Sequence, residues 1–319
     1  MSAKLRNESG QALLMTVIFL TVLIGAAALT IDVGVWYRQQ RQAQATADAA
    51  ALAGAQVLPA DPAQAKALAA QYATLNGGGV PADGISLRSD FGPNDTVVVR
   101  VQTDVPSFFA RIFSIDHATV GATAAARAGV PNQVEGVAPI VVNKLHPELS
   151  GPGCPCFHVE TTLPLGKDGA PGAFGLIDLN GGSNGNPDLA AWIQSGYEGY
   201  LGTGDYQSNT GAQFNSDGVE SALSARIGTE LLFPVYDTLS GGGANAQYDV
   251  IGWVGFHLDS FTSGTNGNGN GGANGSGNGG GGNSATLTGY FTKVIWSGLL
   301  SSTDKHLPDF GAYSVELVN

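Results

Sequence analysis

The 319-residue chain holds a few clusters whose residue types could do chemistry. Cys154-Pro155-Cys156, with His146 and His158 close by, offers soft thiolates and imidazoles, the donors that zinc or copper selects. One intervening residue is shorter than the usual zinc spacing, and in an oxidising compartment the pair would close on itself, so a disulfide between Cys154 and Cys156 is expected. Gly181-Gly182-Ser183-Asn184-Gly185 fits the nucleophile-elbow string of a serine hydrolase, with His158 and His257 as available bases. Pro187 starts the following helix several residues past Ser183, and the flanking strands lack the alternation of strand and helix that such a fold needs. A turn with Asn186 as N-cap is expected there instead. Asp178, Asn180, Ser183, Asn186 and Asp188 could supply oxygens to calcium, but the spacing is not that of an EF-hand and no carboxylate stands at its twelfth position. The expectation is a non-enzymatic chain with no catalytic residue, no metal site and no cofactor.

Composition narrows the classes further. Lys and Arg number 14 against 26 Asp and Glu, a net charge of −12, which argues against nucleic acid as a partner. The charge is unevenly placed: 9 acidic and 9 basic residues precede position 131, and 17 acidic and 5 basic follow it. Of 47 glycines, 36 fall in the second part, so a domain boundary is expected near Val130 to Gly136.

The elements that would position these residues begin with a membrane segment. Ala12 to Ile31 is 20 residues without a charge, long enough as a helix to cross about 30 Å of hydrocarbon. Lys4 and Arg6 precede it, and Asp32, Trp36, Tyr37, Arg38 and Arg41 follow; the Lys and Arg count is nearly balanced, and only the free amino terminus tips the reading toward a cytoplasmic N-terminus, against Arg38 and Arg41. A basic start, an apolar stretch and Ala26-Ala27-Ala28 also fit a cleaved secretory signal, although the apolar run exceeds the usual signal core. Ala43 to Ala55 holds 8 alanines in 13 positions, so the helix should continue to about Val57. Ala43, Ala47, Ala50 and Gly54 form a small-residue stripe that would admit either a partner helix or the protein's own sheet. Asp32 could pair with a partner helix or a cation; its plainer reading is a solvated interfacial carboxylate. Asp32, Gly34, Ala43, Ala47, Ala50 and Gly54 thus make up the expected helix-packing or partner-contact set.

The segment from Glu8 to Ala55 resembles the N-terminal part of the TadE/TadG-like proteins of Tad/Flp pilus assembly. The resemblance lies in the Gly10-Gln11-Ala12 start, the Ile31-Asp32-Val33-Gly34 exit and the run Ala47-Asp48-Ala49-Ala50-Ala51-Leu52-Ala53-Gly54-Ala55. It implies a single-pass protein of the inner (cytoplasmic) membrane, with a pilin-like helix and an extracytoplasmic bulk, serving assembly or anchoring of a type IV pilus beside other pilus-assembly proteins. Prepilin-type processing would cut after Gly10 and usually wants Glu five residues on, where this chain has Met15. The von Willebrand A domain of some TadG-like proteins would bring an Asp-x-Ser-x-Ser motif, which this sequence lacks.

Beyond residue 57 a small α+β domain is expected over 58–130. Asp61-Pro62 caps and opens a helix from Pro62 to Leu75, closed by Asn76-Gly77-Gly78-Gly79. Strands follow at Ile85 to Phe91, Thr96 to Val105 and Ala118 to Ala128, with an amphipathic piece from Pro106 to Phe113 whose Phe108, Phe109, Ile112 and Phe113 read as core, with an exposed docking patch as the alternative. The third domain, 134–319, should be mainly β, with strands near Val137 to Val142, Phe157 to Thr161, Phe174 to Leu179, Glu230 to Tyr236, Tyr248 to Phe261, Ala285 to Trp296 and Ala312 to Val318. Helices are expected near Pro187 to Tyr197 and Val219 to Ile227. Between two strands, 16 of the 20 residues 265–284 are Gly or Asn, a spacer that cannot bury a core. The fold class is α+β: a long N-terminal transmembrane, pilin-like helix, a small α+β domain of residues 58–130, and a glycine-rich, mainly β exported domain. The leading functional expectation is a membrane-anchored pilus-assembly component acting through protein–protein contacts. The alternative is an exported ligand- or polysaccharide-binding module, which an exposed cluster of Trp192, Tyr197, Tyr200 and Trp253 would favour.

Overall fold

With no internal proline, and with an alanine-rich second half, α1 runs from Ser9 to Ala55, 47 residues and about 70 Å. The computed structural model describes residues 9–165, 175–182, 185–209, 216–241, 245–263, 285–296 and 307–318; Ser183 and the expected spacer 265–284 lie outside them. Among the described residues α1 is the one helix long and apolar enough to cross a membrane. Its apolar side chains over residues 12–31 are exposed. The hydroxyls in this stretch are satisfied within the helix: Thr16, Thr21 and Thr30 donate to the carbonyls of Ala12, Val17 and Ala26 at 2.9, 2.8 and 2.8 Å. No hydroxyl there needs a partner from hydrocarbon.

The second half of α1 is covered by its own chain. Helix α2, Pro62–Leu75, starts where Asp61 accepts the Gln64 amide at 2.8 Å, with proline in the first turn. Its end is tied back to α1, since Gln42 Nε2 and Thr46 Oγ1 donate to the Asn76 carbonyl at 3.0 and 2.6 Å. Strands β1 (Ile85–Arg88), β2 (Thr96–Pro106) and β3 (His117–Gly129) pair antiparallel in chain order. Alternation turns Val97, Val99, Val101 and Val105 of β2 inward, and α1 packs against both β2 and α2.

The chain divides into two compact units, one within Met1–Arg127 that also takes Leu317 and Val318, the other within Ala128–Glu316. Residues 1–57, expected as a part of their own, share a unit with the residues up to 127, because α2 and β2 build their core on α1.

The second unit is strand-rich. Its strands are β4 (Gln133–Val134), β5 (Val142–Asn143), β6 (Glu160–Leu165), β7 (Leu201–Gly202), β8 (Gly204–Gln207), β9 (Glu230–Ser240), β10 (Gln247–Ser263), β11 (Ala285–Thr292), β12 (Val294–Ile295) and β13 (Ala312–Val318). Its helices are α3 (Pro147–Ser150), α4 (Asn186–Ser195) and α5 (Asp217–Arg226). The main sheet runs β5-β9-β10-β11-β6, with β8 on the first residues of β10; only the β5–β9 pair in it is parallel. Alternation loads both faces. Leu231, Phe233 and Phe256 join Phe291, Leu189 and Ile193 of α4, and Val219 and Leu223 of α5, in one core. Leu232, Tyr248, Val250 and Trp253 join Trp192 and Ile177 in another.

Several expected strands shrink or shift. Val137 to Val142 keeps only Val142–Asn143, with lone bridges at Val137 and Ile140; Phe157 to Thr161 becomes Glu160–Leu165. The expected strand ending at Leu179 contributes single bridges at Leu176 and Ile177. Short apolar runs fix burial, and the ladder partner decides whether burial becomes a strand.

Candidate functional site

The point where α1 leaves its apolar stretch carries the most unusual polar arrangement in the first unit. Asp32 is fully buried, which overturns its reading as a solvated carboxylate. Its Oδ1 accepts the Phe108 amide at 2.9 Å, and its Oδ2 accepts those of Phe109 and Ala110 at 2.9 and 2.6 Å. These three consecutive N–H groups open a single 3₁₀ turn, Ala110–Phe113, whose own N-cap residue provides no side-chain hydrogen bond. A helical turn leaves its first donors unpaired, so a carboxylate from 76 to 78 residues earlier supplies the missing cap. Its acceptors are directed at the protein's own backbone.

The same turn presents apolar side chains outward. Phe108, Phe109, Ile112, Phe113 and Ile115 are 65, 41, 80, 76 and 47% exposed, so the core expected from Phe108, Phe109, Ile112 and Phe113 is not there. One turn of 3₁₀ helix buries only Ala110. Backbone bonds hold the loop in shape: Ser107 donates to the Asp116 carbonyl at 3.0 Å and Ile115 to that of Ala110 at 3.2 Å.

Of the expected helix-packing set, Ala43, Ala47 and Ala50 are buried within the chain's own unit. At Gly54 an added Cβ would lie 2.8 Å from the Ala65 carbonyl oxygen and 3.1 Å from the Ala69 Cβ. Within the chain the stripe serves the approach of both a helix, α2, and a strand, β2. Gly34 is different, with nothing within 4 Å of the position its Cβ would take.

The residues singled out for chemistry are engaged in structural contacts. Cys154 and Cys156 form a disulfide with an S–S distance of 2.00 Å. Glu148 is the third member of this potential ligand group, all within 4.8 Å, while sulfurs bonded to each other offer no thiolates and neither His146 nor His158 belongs to it. His146 Nδ1 accepts the Glu148 amide at 3.2 Å, and its ring meets Phe291 edge-on. Burial holds its imidazole below the ordinary value, against the opposing influence of the Thr162 backbone and Glu148. His158 packs by Tyr290, and His257 stacks on the same ring with Nδ1 3.1 Å from Glu230. Asp178 accepts the amides of Asn180 and Gly181, Asn180 that of Gly182, and Asp188 that of Gly185. These oxygens organise a loop, as Asp and Asn do at turns; Ser183 and the Asn186 side chain are outside what is described. Trp192 and Trp253 are buried and Tyr197 packs on their core, leaving Tyr200 exposed, so these four residues form no open aromatic platform.

Residues 10–57, the stretch that spans the apolar segment, the Asp32 exit and the alanine-rich half of α1, match the Tad family, described as "Putative Flp pilus-assembly TadE/G-like". No curated protein and no solved structure matches the chain.

Proposed function

We propose that this chain, whose α1 is a Tad-type segment, is a membrane-anchored, non-enzymatic component of Tad/Flp pilus assembly that acts through protein–protein contacts. The match over residues 10–57 carries this reading, because it covers the whole of the membrane-crossing helix and little else. We place the protein as a single-pass protein of the inner membrane, its bulk outside the cytoplasm. A disulfide in the second unit supports that orientation, since disulfides persist in oxidising compartments. The non-enzymatic reading draws on the bond between Cys154 and Cys156, which takes the two thiols out of metal-ligand or nucleophile chemistry.

The decisive experiment exchanges residues 12–31, the exposed apolar part of α1, for an unrelated apolar helix of equal length in cells that make Flp pili. Loss of pili with the protein still in the membrane supports an assembly role carried by this segment. Normal piliation sinks it. Replacing Ser183 with Ala in the intact chain tests the second half of the reading: pili lost while folding and membrane complexes stay intact would make the protein an enzyme.

A further inference from the structure

We propose that the turn from Phe108 to Ile115 is a second membrane contact, an interfacial wedge seated beside α1 in the headgroup and upper acyl layer of the bilayer that α1 crosses. The inference rests on the membrane-anchor reading of α1 and does not need the pilus reading.

Height is the first argument. The amides of Phe108, Phe109 and Ala110 lie 2.6–2.9 Å from the carboxylate of Asp32, one residue past the apolar stretch 12–31. A helix rises 1.5 Å per residue, so the turn is fixed within a few Å of the level at which the chain leaves hydrocarbon. Continuity is the second. Leu29, Ile31 and Val33 of α1 are 54, 50 and 48% exposed, and Phe108, Ile112 and Phe113 extend that apolar surface sideways at the same level. Exposed apolar patches of this kind mark contact surfaces, and interfacial segments bury their apolar face about 5–10 Å into the headgroup and acyl boundary.

Charge is the third. Arg111 lies in the turn itself, and Arg38 and Arg41 follow on α1, placing cations where lipid phosphates reside. The Asp32 clamp explains why the backbone of such a wedge tolerates this depth, since its leading amides are already bonded. Lipid surrounds the exit of a membrane helix unless another protein displaces it, so lipid is the occupant to which the proposal commits.

The test uses the full chain in vesicles of phosphatidylethanolamine and phosphatidylglycerol. The chain's 2 cysteines are bonded to each other, so an introduced cysteine is its sole free thiol. Nitroxide labels are placed in separate variants at Ile112→Cys and Phe113→Cys, with Leu23→Cys in the span and Lys66→Cys on α2 as references. Accessibility to oxygen is then compared with that to a water-soluble nickel chelate. Oxygen favoured over nickel at 112 and 113, with the balance shifted from Lys66→Cys toward Leu23→Cys, is the expected result. Nickel access at 112 and 113 equal to that of Lys66→Cys overturns the wedge. Shielding of both from oxygen and nickel alike also overturns it, and points to a second copy or another protein as the occupant. A nickel-accessible Leu23→Cys would instead defeat the anchor reading itself, which separates the two failures.

Discussion

Asp32 shows how one side chain can set the geometry of a distant loop. It accepts from three amides, and an ionised carboxylate has acceptor sites enough for all three, whereas a carboxamide turns an N–H₂ donor toward donors. Asp32→Asn should therefore raise amide hydrogen exchange at Phe108, Phe109 and Ala110 while leaving Val97 to Val101 in β2 protected, as hydrogen-exchange mass spectrometry of the reconstituted protein would register. Unchanged exchange at 108–110 would mean the clamp contributes nothing. His146 supplies a prediction in pH. Burial lowers its folded-state value below the ordinary imidazole value of about 6.5, so on acidification the unfolded chain takes up the proton first. Its contribution to stability is complete above that value and declines as pH falls through it. The thermal midpoint of the wild type should drop more between about pH 7.5 and 5.5 than that of His146→Gln; equal slopes would refute the assignment.

Among the elements, the two glycines of α1 separate packing from propensity. Gly54→Ala sets a methyl against the Ala65 carbonyl and should destabilise by about 1–3 kcal/mol despite the gain in helix propensity. Gly34→Ala meets nothing within 4 Å and should be neutral or stabilising by up to about 1 kcal/mol. Chemical unfolding in detergent checks both, and equal effects would show that α2 does not need the close approach. In the β10–β11 hairpin, Gly289→Ala puts a Cβ on the His257 carbonyl oxygen and should cost at least about 3 kcal/mol, visible as an early unfolding transition. Local chemistry made some elements legible. Asp61-Pro62 and the glycines after Asn76 delimit α2 at Pro62–Leu75, because caps and stops act over four residues or fewer. The Phe108 to Phe113 spacing misled for the converse reason: apolar periodicity shows that residues share a face, and only the surrounding chain decides whether that face is covered. The Asp32 clamp leaves its trace as a turn without its own cap, and a reader of the sequence has no local rule to find the donor's partner across 76 residues.

At the scale of the whole molecule, the chain falls into two units of contrasting make-up, the first of which contains the Tad-type segment. All of the −12 charge lies after residue 130, where 17 acidic residues face 5 basic ones. The division between Arg127 and Ala128 lies a few residues before that change of composition. The architecture inside the second unit was only partly legible in the sequence, since its sheet joins strands far apart in sequence, such as β6 and β11. The Cys154–Cys156 bond closes a ring over a sequence separation of 2, and so short a loop restricts the unfolded chain little. Replacing both cysteines with serine should cost only about 1–2 kcal/mol. A collapse of the second unit in that variant, followed by circular dichroism, would assign the disulfide a larger role.

The reach of the Asp32 clamp also imposes an order on biogenesis. Asp32 is synthesised well before Phe108 leaves the ribosome, so for some 76 residues of elongation the carboxylate has none of its later donors. Until then only water can satisfy it. The latch can shut once Ala110 has emerged, which makes its closure a report that α1 and the chain after it have come together on the same side.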